Sequence, residues 1–191
     1  MDDVRSNIED WVSININRNE VGGVEDGYWM WAGNNFHGDR LRNNRTIEIL
    51  VNAGGTWLNY YTLDIGSNFM PPDPMIVNYP MFKSAMLTMI ANWPSPWANG
   101  RCYFWAKPPP VAPGEPPFPK SPYGMPWIAY LCAERAADVR PPADLLTERT
   151  PDGGLLMIAA ETRFDPFDPA HRARSRILAG IMMAHGGDPG R

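Results

Sequence analysis

The three histidines are the only side chains of this 191-residue chain whose ordinary pKa lies near neutrality, so a search for chemistry starts with them. His37 stands two residues before Asp39 in a stretch rich in glycine and asparagine, in principle a base with its orienting acid. Such a pair arises often by chance and specifies no reaction by itself. His171 follows Asp165 and Asp168, which resemble a carboxylate pair; their place just ahead of a helical pattern makes capping the simpler role. His185 falls in the last turn of that helix, where an imidazole suits the helix dipole. No glycine-rich phosphate loop, nucleophile elbow or paired-cysteine metal motif is present. Cys102 and Cys132 are the only cysteines, expected as two buried thiols rather than a disulfide. The chain therefore reads as a non-enzyme, with no catalytic residue, metal or cofactor.

Charge gives a second kind of candidate. Residues 1–39 hold eight acids, Asp2, Asp3, Glu9, Asp10, Glu20, Glu25, Asp26 and Asp39, against Arg5 and Arg18, a local charge of −6 in a chain whose total is −4. This distribution disfavours nucleic-acid binding, which calls for a basic stripe interleaved with aromatic residues. It suits a basic partner, although acids that merely decorate solvated turns would look the same. The apolar stretches at 155–160 and 177–184 are far short of the roughly 18 residues a membrane span needs. With seven acids and no apolar core in the first thirty residues, a secretory signal is not expected and the cytoplasm is.

The elements that must position these residues follow from periodicity. Val12, Ile14 and Ile16 alternate weakly; Tyr28-Trp29-Met30-Trp31 reads as a short strand between glycines. Runs at 46–52 and 56–65, joined through Ala53-Gly54-Gly55, form a hairpin pattern. Large side chains on both faces of the second run suggest an inner strand. A helix is expected from about Pro80, capped by Asn78, with Phe82, Met86, Met89 or Ile90, and Trp93 on its apolar face and Pro94 and Pro96 ending it. Strands follow at 101–106 and 126–132, then a hairpin of 145–149 with 155–161 across Asp152-Gly153. The last helix is capped by Asp168, begins at Pro169 and stops at Gly186-Gly187. Its apolar face is expected to be Ala170, Ala173, Ile177, Leu178, Ile181 and Met182, with Arg172 and Arg176 on one polar side. Strands and helices without regular alternation predict an α+β fold, a mostly antiparallel sheet with helices packed on it, as a single domain over residues 1–191.

Proline is the compositional outlier, with 21 residues, about 11% of the chain against a usual value of about 5%. Seven of them lie within 107–121, a density neither a helix nor an inner strand tolerates, so 107–122 reads as a polyproline-like surface loop. The 8 Trp, 7 Tyr and 11 Met supply the bulk for a core despite that excess.

Several segments together resemble the immunity protein 52 family. They are the helix from Tyr79-Pro80 to Trp93, the run from Trp97 to Arg101-Cys102-Tyr103-Phe104-Trp105, and Tyr123-Gly124-Met125-Pro126-Trp127-Ile128-Ala129-Tyr130-Leu131. Asp152-Gly153-Gly154-Leu155-Leu156-Met157-Ile158 and Phe164-Asp165-Pro166-Phe167-Asp168-Pro169-Ala170-His171 continue the likeness, and Asp26-Gly27-Tyr28-Trp29-Met30-Trp31-Ala32-Gly33 is similar to the family's glycine-aromatic strand. The resemblance spans roughly residues 18–184; residues 1–17 stand where the family has an initial strand and amphipathic helix, and 107–121 is an insertion. It implies a cytoplasmic immunity protein of a bacterial polymorphic-toxin or type VI secretion system. Its partner would be a nuclease toxin of the restriction-endonuclease fold encoded by the neighbouring gene.

A nuclease must present a basic groove to phosphates, and an acidic inhibitor is steered toward such a groove. The expected toxin-binding residues are Glu20, Glu25, Asp26 and Asp39, framed by Trp29 and Trp31. The same apolar surface could serve a homodimer. A carbohydrate- or peptide-binding module built on exposed aromatic residues, and a small hydrolase using His37 and Asp39, are the competing readings.

Overall fold

The computed structural model describes residues 16–18, 24–33, 47–53 and 60–65 as paired backbone, and 73–93, 95–102, 113–115 and 125–186 beyond them. These residues fall into two compact units, one holding the strands up to residue 65 and the other running from residue 74. The architecture is α+β with antiparallel sheets, as the sequence predicts.

In the first unit β1 (Ile16–Arg18), β2 (Val24–Gly33), β3 (Ile47–Ala53) and β4 (Tyr60–Ile65) pair in that order, antiparallel throughout. β3 and β4 form the expected hairpin. Among the described strands β4 pairs on one side, with β3. Bulky residues on both faces report what covers a sheet above and below, and carry no information about a hydrogen-bonding edge.

The second unit is built on β5 (Trp97–Cys102), β6 (Met125–Leu131), β7 (Leu146–Arg149) and β8 (Leu155–Ile158), ordered β5-β6-β8-β7. Every residue of β6 and β8 is buried, so both faces of these two strands are covered. β7, at the edge, exposes Thr147, Glu148 and Arg149, which discourages further pairing there. Among the described residues three helices belong to the unit: α1 (Tyr79–Asn92), α2 (Ala133–Ala136) and α3 (Pro169–His185).

The ends of α1 and α3 follow from side-chain capping. Asn78 Oδ1 accepts from Met81 N at 3.0 Å. Asp168 Oδ1 accepts from Ala170 N at 2.7 Å and His171 N at 3.3 Å, and Pro169 starts the helix without a missing bond. At its far end, Arg135 of α2 donates to the His185 carbonyl at 2.9 Å.

α1 lies over β5, where Phe82 and Met86 approach Gly100. Between the pairs Gly100↔Ile128 and Arg101↔Pro126, β6 carries one residue more than β5, and that residue is Trp127. The Trp127 ring meets Phe82 with centroids 4.8 Å apart, and its Nε1 donates to the Ala160 carbonyl at 2.8 Å, so the one polar atom of a fully buried side chain is satisfied.

α3 packs against β6 and β8 through a face rotated from the expected one. Its buried residues are Arg172, Ser175, Leu178, Ala179 and Met182, whereas Ala170 and Ala173 are exposed and Ile177 and Ile181 half-buried. Leu178 and Met182 return far more apolar area than two alanines, and Arg172 is buried because partners neutralise it. Cys132, half-buried with a free thiol, follows β6 at the start of α2.

Candidate functional site

The expected partner-binding residues divide between described and undescribed parts of the chain. Glu25, Asp26, Trp29 and Trp31 lie on β2, whereas Glu20 and Asp39 lie outside the described residues, as does His37. Trp29 is paired with Asn52 and Trp31 with Leu50 in an uninterrupted register, so the two tryptophan positions share one face of the sheet. Glu25 and Asp26 sit where the pairing of β1 with β2 slips: Val24 and Tyr28, four residues apart, oppose Arg18 and Ile16, two apart. The proline-rich segment 107–122 is described at Pro113, Gly114 and Glu115.

Three polar clusters in the second unit have defined geometry. The first closes the β7–β8 hairpin. Asp152 Oδ1 accepts from the Thr150 hydroxyl and from Gly154 N at 3.3 Å, and Oδ2 accepts from the Tyr130 hydroxyl. These donors, Thr150 foremost and then Tyr130, hold the Asp152 carboxyl below its ordinary pKa. Burial, and then the neighbouring carboxylate, push the Tyr130 phenol well above its own. A phenol so firmly protonated is a fixed donor, and the arrangement is a structural lock.

The second cluster joins α1 to β7. Lys83 pairs with Glu148, which raises the lysine pKa, and lies 5.9 Å from the centre of the Tyr79 ring. Burial chiefly raises the Tyr79 pKa.

The third gathers around the start of α3. His171 Nδ1 accepts from Asp165 N at 3.0 Å, its ring stacks on Phe164 with centroids 5.8 Å apart, and Asp165 Oδ1 accepts from Phe167 N at 2.8 Å. Backbone N–H groups of Ala170 and then His171 hold the Asp168 carboxyl below its ordinary pKa. Asp168 thus caps the helix, as the sequence suggested, whereas Asp165 closes the turn ahead of it. Beside it, Arg172 holds Glu115 in a bidentate pair, with Arg176 reaching the same carboxylate. That carboxylate raises the Arg172 pKa. The spacing of Arg172 and Arg176 was visible in the sequence; their shared partner, 57 residues before Arg172, was not.

Among the described residues no group of three His, Cys, Asp or Glu side chains could hold a metal ion, and no helix is long and apolar enough to cross a membrane. Comparison with protein-family models, curated proteins and solved structures returned no match.

Proposed function

We propose that this protein is an immunity protein of the cytoplasm that binds and neutralises a cognate nuclease toxin of the restriction-endonuclease fold, delivered by type VI secretion or a related contact-dependent system. The observation that carries this reading is the set of segments resembling the immunity protein 52 family, taken with where their residues sit. Trp127, Tyr130 and Phe164 are buried, Gly154 is in tight contact with Tyr130, and His171 orders the start of α3. These residues fix packing in this chain, so the likeness bears on its fold, and the function is carried over from the family by analogy.

Charge supports the partner class. The segment of local charge −6 includes β2, where Glu25 and Asp26 lie close in sequence to the paired positions Trp29 and Trp31. Aromatic residues give an interface its anchors, and a ring of acid speeds approach to a basic groove.

The test is co-expression of this chain with the product of the neighbouring open reading frame. Co-purification with loss of that product's nuclease activity is the expected result. A neighbour that is no toxin, or one that neither binds nor is inhibited, removes the reading. Saturable quenching of tryptophan fluorescence by a saccharide or short peptide would instead favour a small-ligand module.

A further inference from the structure

Two arginines one helical turn apart on α3 converge on a single carboxylate. Arg172 is only 4% exposed, and its Nη1 donates to the carbonyls of Pro166 at 3.1 Å and Phe167 at 2.8 Å. Those main-chain bonds fix the plane of the guanidinium independently of whatever sits at its opposite edge. That edge offers two parallel donors: Nε reaches Glu115 Oε1 at 2.9 Å, and Nη2 reaches Oε2 at 2.8 Å. Arg176, half-buried, adds Nη1 to the same Oε1 from the next turn. The fork matches a planar carboxylate or the edge of a phosphate group, the two anions for which this side-on geometry is selective. Glu115 arrives from a short segment in which Gly114 turns the chain at φ +84°, a conformation open to glycine.

We propose that Arg172 and Arg176 form an oxyanion-binding seat and that Glu115 is its internal, exchangeable occupant. The seat is built by α3 and by the 166–167 carbonyls, so it keeps its shape and charge when the occupant leaves. A buried guanidinium edge left without an anion is costly, which makes the emptied seat a receptor for an anion from outside. Its ligands are carboxylates and phosphate groups, free in solution or carried by a partner, and exchange releases residue 115 from α3.

The experiment uses the full chain with Glu115→Ala, titrated with inorganic phosphate and, separately, with acetate, at ionic strength held constant with sodium chloride. The variant is expected to melt below the wild-type protein and to recover saturably as either anion is added. The wild-type protein, its seat filled, should show only the small unsaturating shift that general salt effects give. Adding Arg176→Met to Glu115→Ala should weaken the saturable recovery. Recovery with acetate alone marks a carboxylate seat, and recovery with phosphate marks one that also takes phosphate groups. Parallel shifts in variant and wild type, or no response of the variant to either anion, overturn the proposal. Should the alanine variant fail to fold, it is refolded in the presence of phosphate or acetate: folding recovered by either anion but not by sodium chloride of equal ionic strength supports the seat, and no recovery with either overturns it.

Discussion

Tyr130 and Gly154 touch so closely that position 154 admits no side chain. A Cβ there would collide with the Tyr130 ring and lie 2.8 Å from both the Leu131 carbonyl oxygen and Thr150 Oγ1. The ring has no room to yield, because it is 1% exposed and its hydroxyl is committed to Asp152. Gly154→Ala should therefore cost about 2–3 kcal/mol by overpacking. Gly180, in the exposed middle of α3 with nothing within 4 Å of its added Cβ, should respond with the opposite sign. There alanine should stabilise by about 0.5–1 kcal/mol. Urea denaturation of the two variants reads both.

Asp152 should leave a mark on the acid limb of stability. Its folded pKa lies below the ordinary value of 3.8, so its contribution is complete above that value and is lost as pH falls through the depressed one. Asp152→Asn should be less stable than wild type at pH 7 by about 1 kcal/mol, a modest figure because the carboxylate is exposed to solvent. The difference should shrink in the acid range below pH 4. A constant difference from pH 7 to pH 2 would assign the effect to something other than this carboxylate.

Trp127 and Trp93 make a paired test of burial. Trp127 is fully buried and hydrogen-bonded to Ala160, whereas Trp93, capping the end of α1, is 37% exposed. Trp127→Ala should cost about 3–5 kcal/mol, the range for emptying a large aromatic site. Trp93→Ala should cost less than half as much. Thermal or chemical unfolding of both variants checks the ordering.

Rotation of α3 makes a prediction opposed to its hydrophobic pattern. Ala173 is exposed, so Ala173→Lys should change stability by no more than about 0.5 kcal/mol. Leu178, fully buried, should lose about 2–5 kcal/mol on truncation to alanine. A large cost at Ala173 would mean the helix packs through the face its sequence suggests.

For the proposed toxin complex, neutralising Glu20, Glu25, Asp26 and Asp39 together as Gln or Asn should slow association by about tenfold or more at low salt. The gap should narrow as ionic strength rises. Surface plasmon resonance with the toxin at two salt concentrations measures this. Unchanged affinity in the quadruple variant removes these residues from the interface.

Much of the fold was legible because it depends on local chemistry. Asn78 and Asp168 cap where their types and the following prolines place them, and the hairpin across Asp152-Gly153 forms where the turn residues stand. β6 and β8 are dense apolar runs and are buried throughout. The face through which α3 packs differs from the one its pattern suggests, because it is set by partners distant in sequence, to which periodicity is blind.

The proposed site divides in the same way. Sequence alone determined the acidic excess, the shared parity of Trp29 and Trp31, and the one-turn spacing of Arg172 and Arg176, because composition and helical or strand period are properties of neighbours. Only the tertiary structure decided that Glu115 would meet both arginines, that an extra residue in β6 would bring Trp127 against Phe82, and that Gly154 would lie beneath Tyr130. Those contacts join residues far apart along the chain. Their energy comes from burying and pairing groups together, which no single segment encodes.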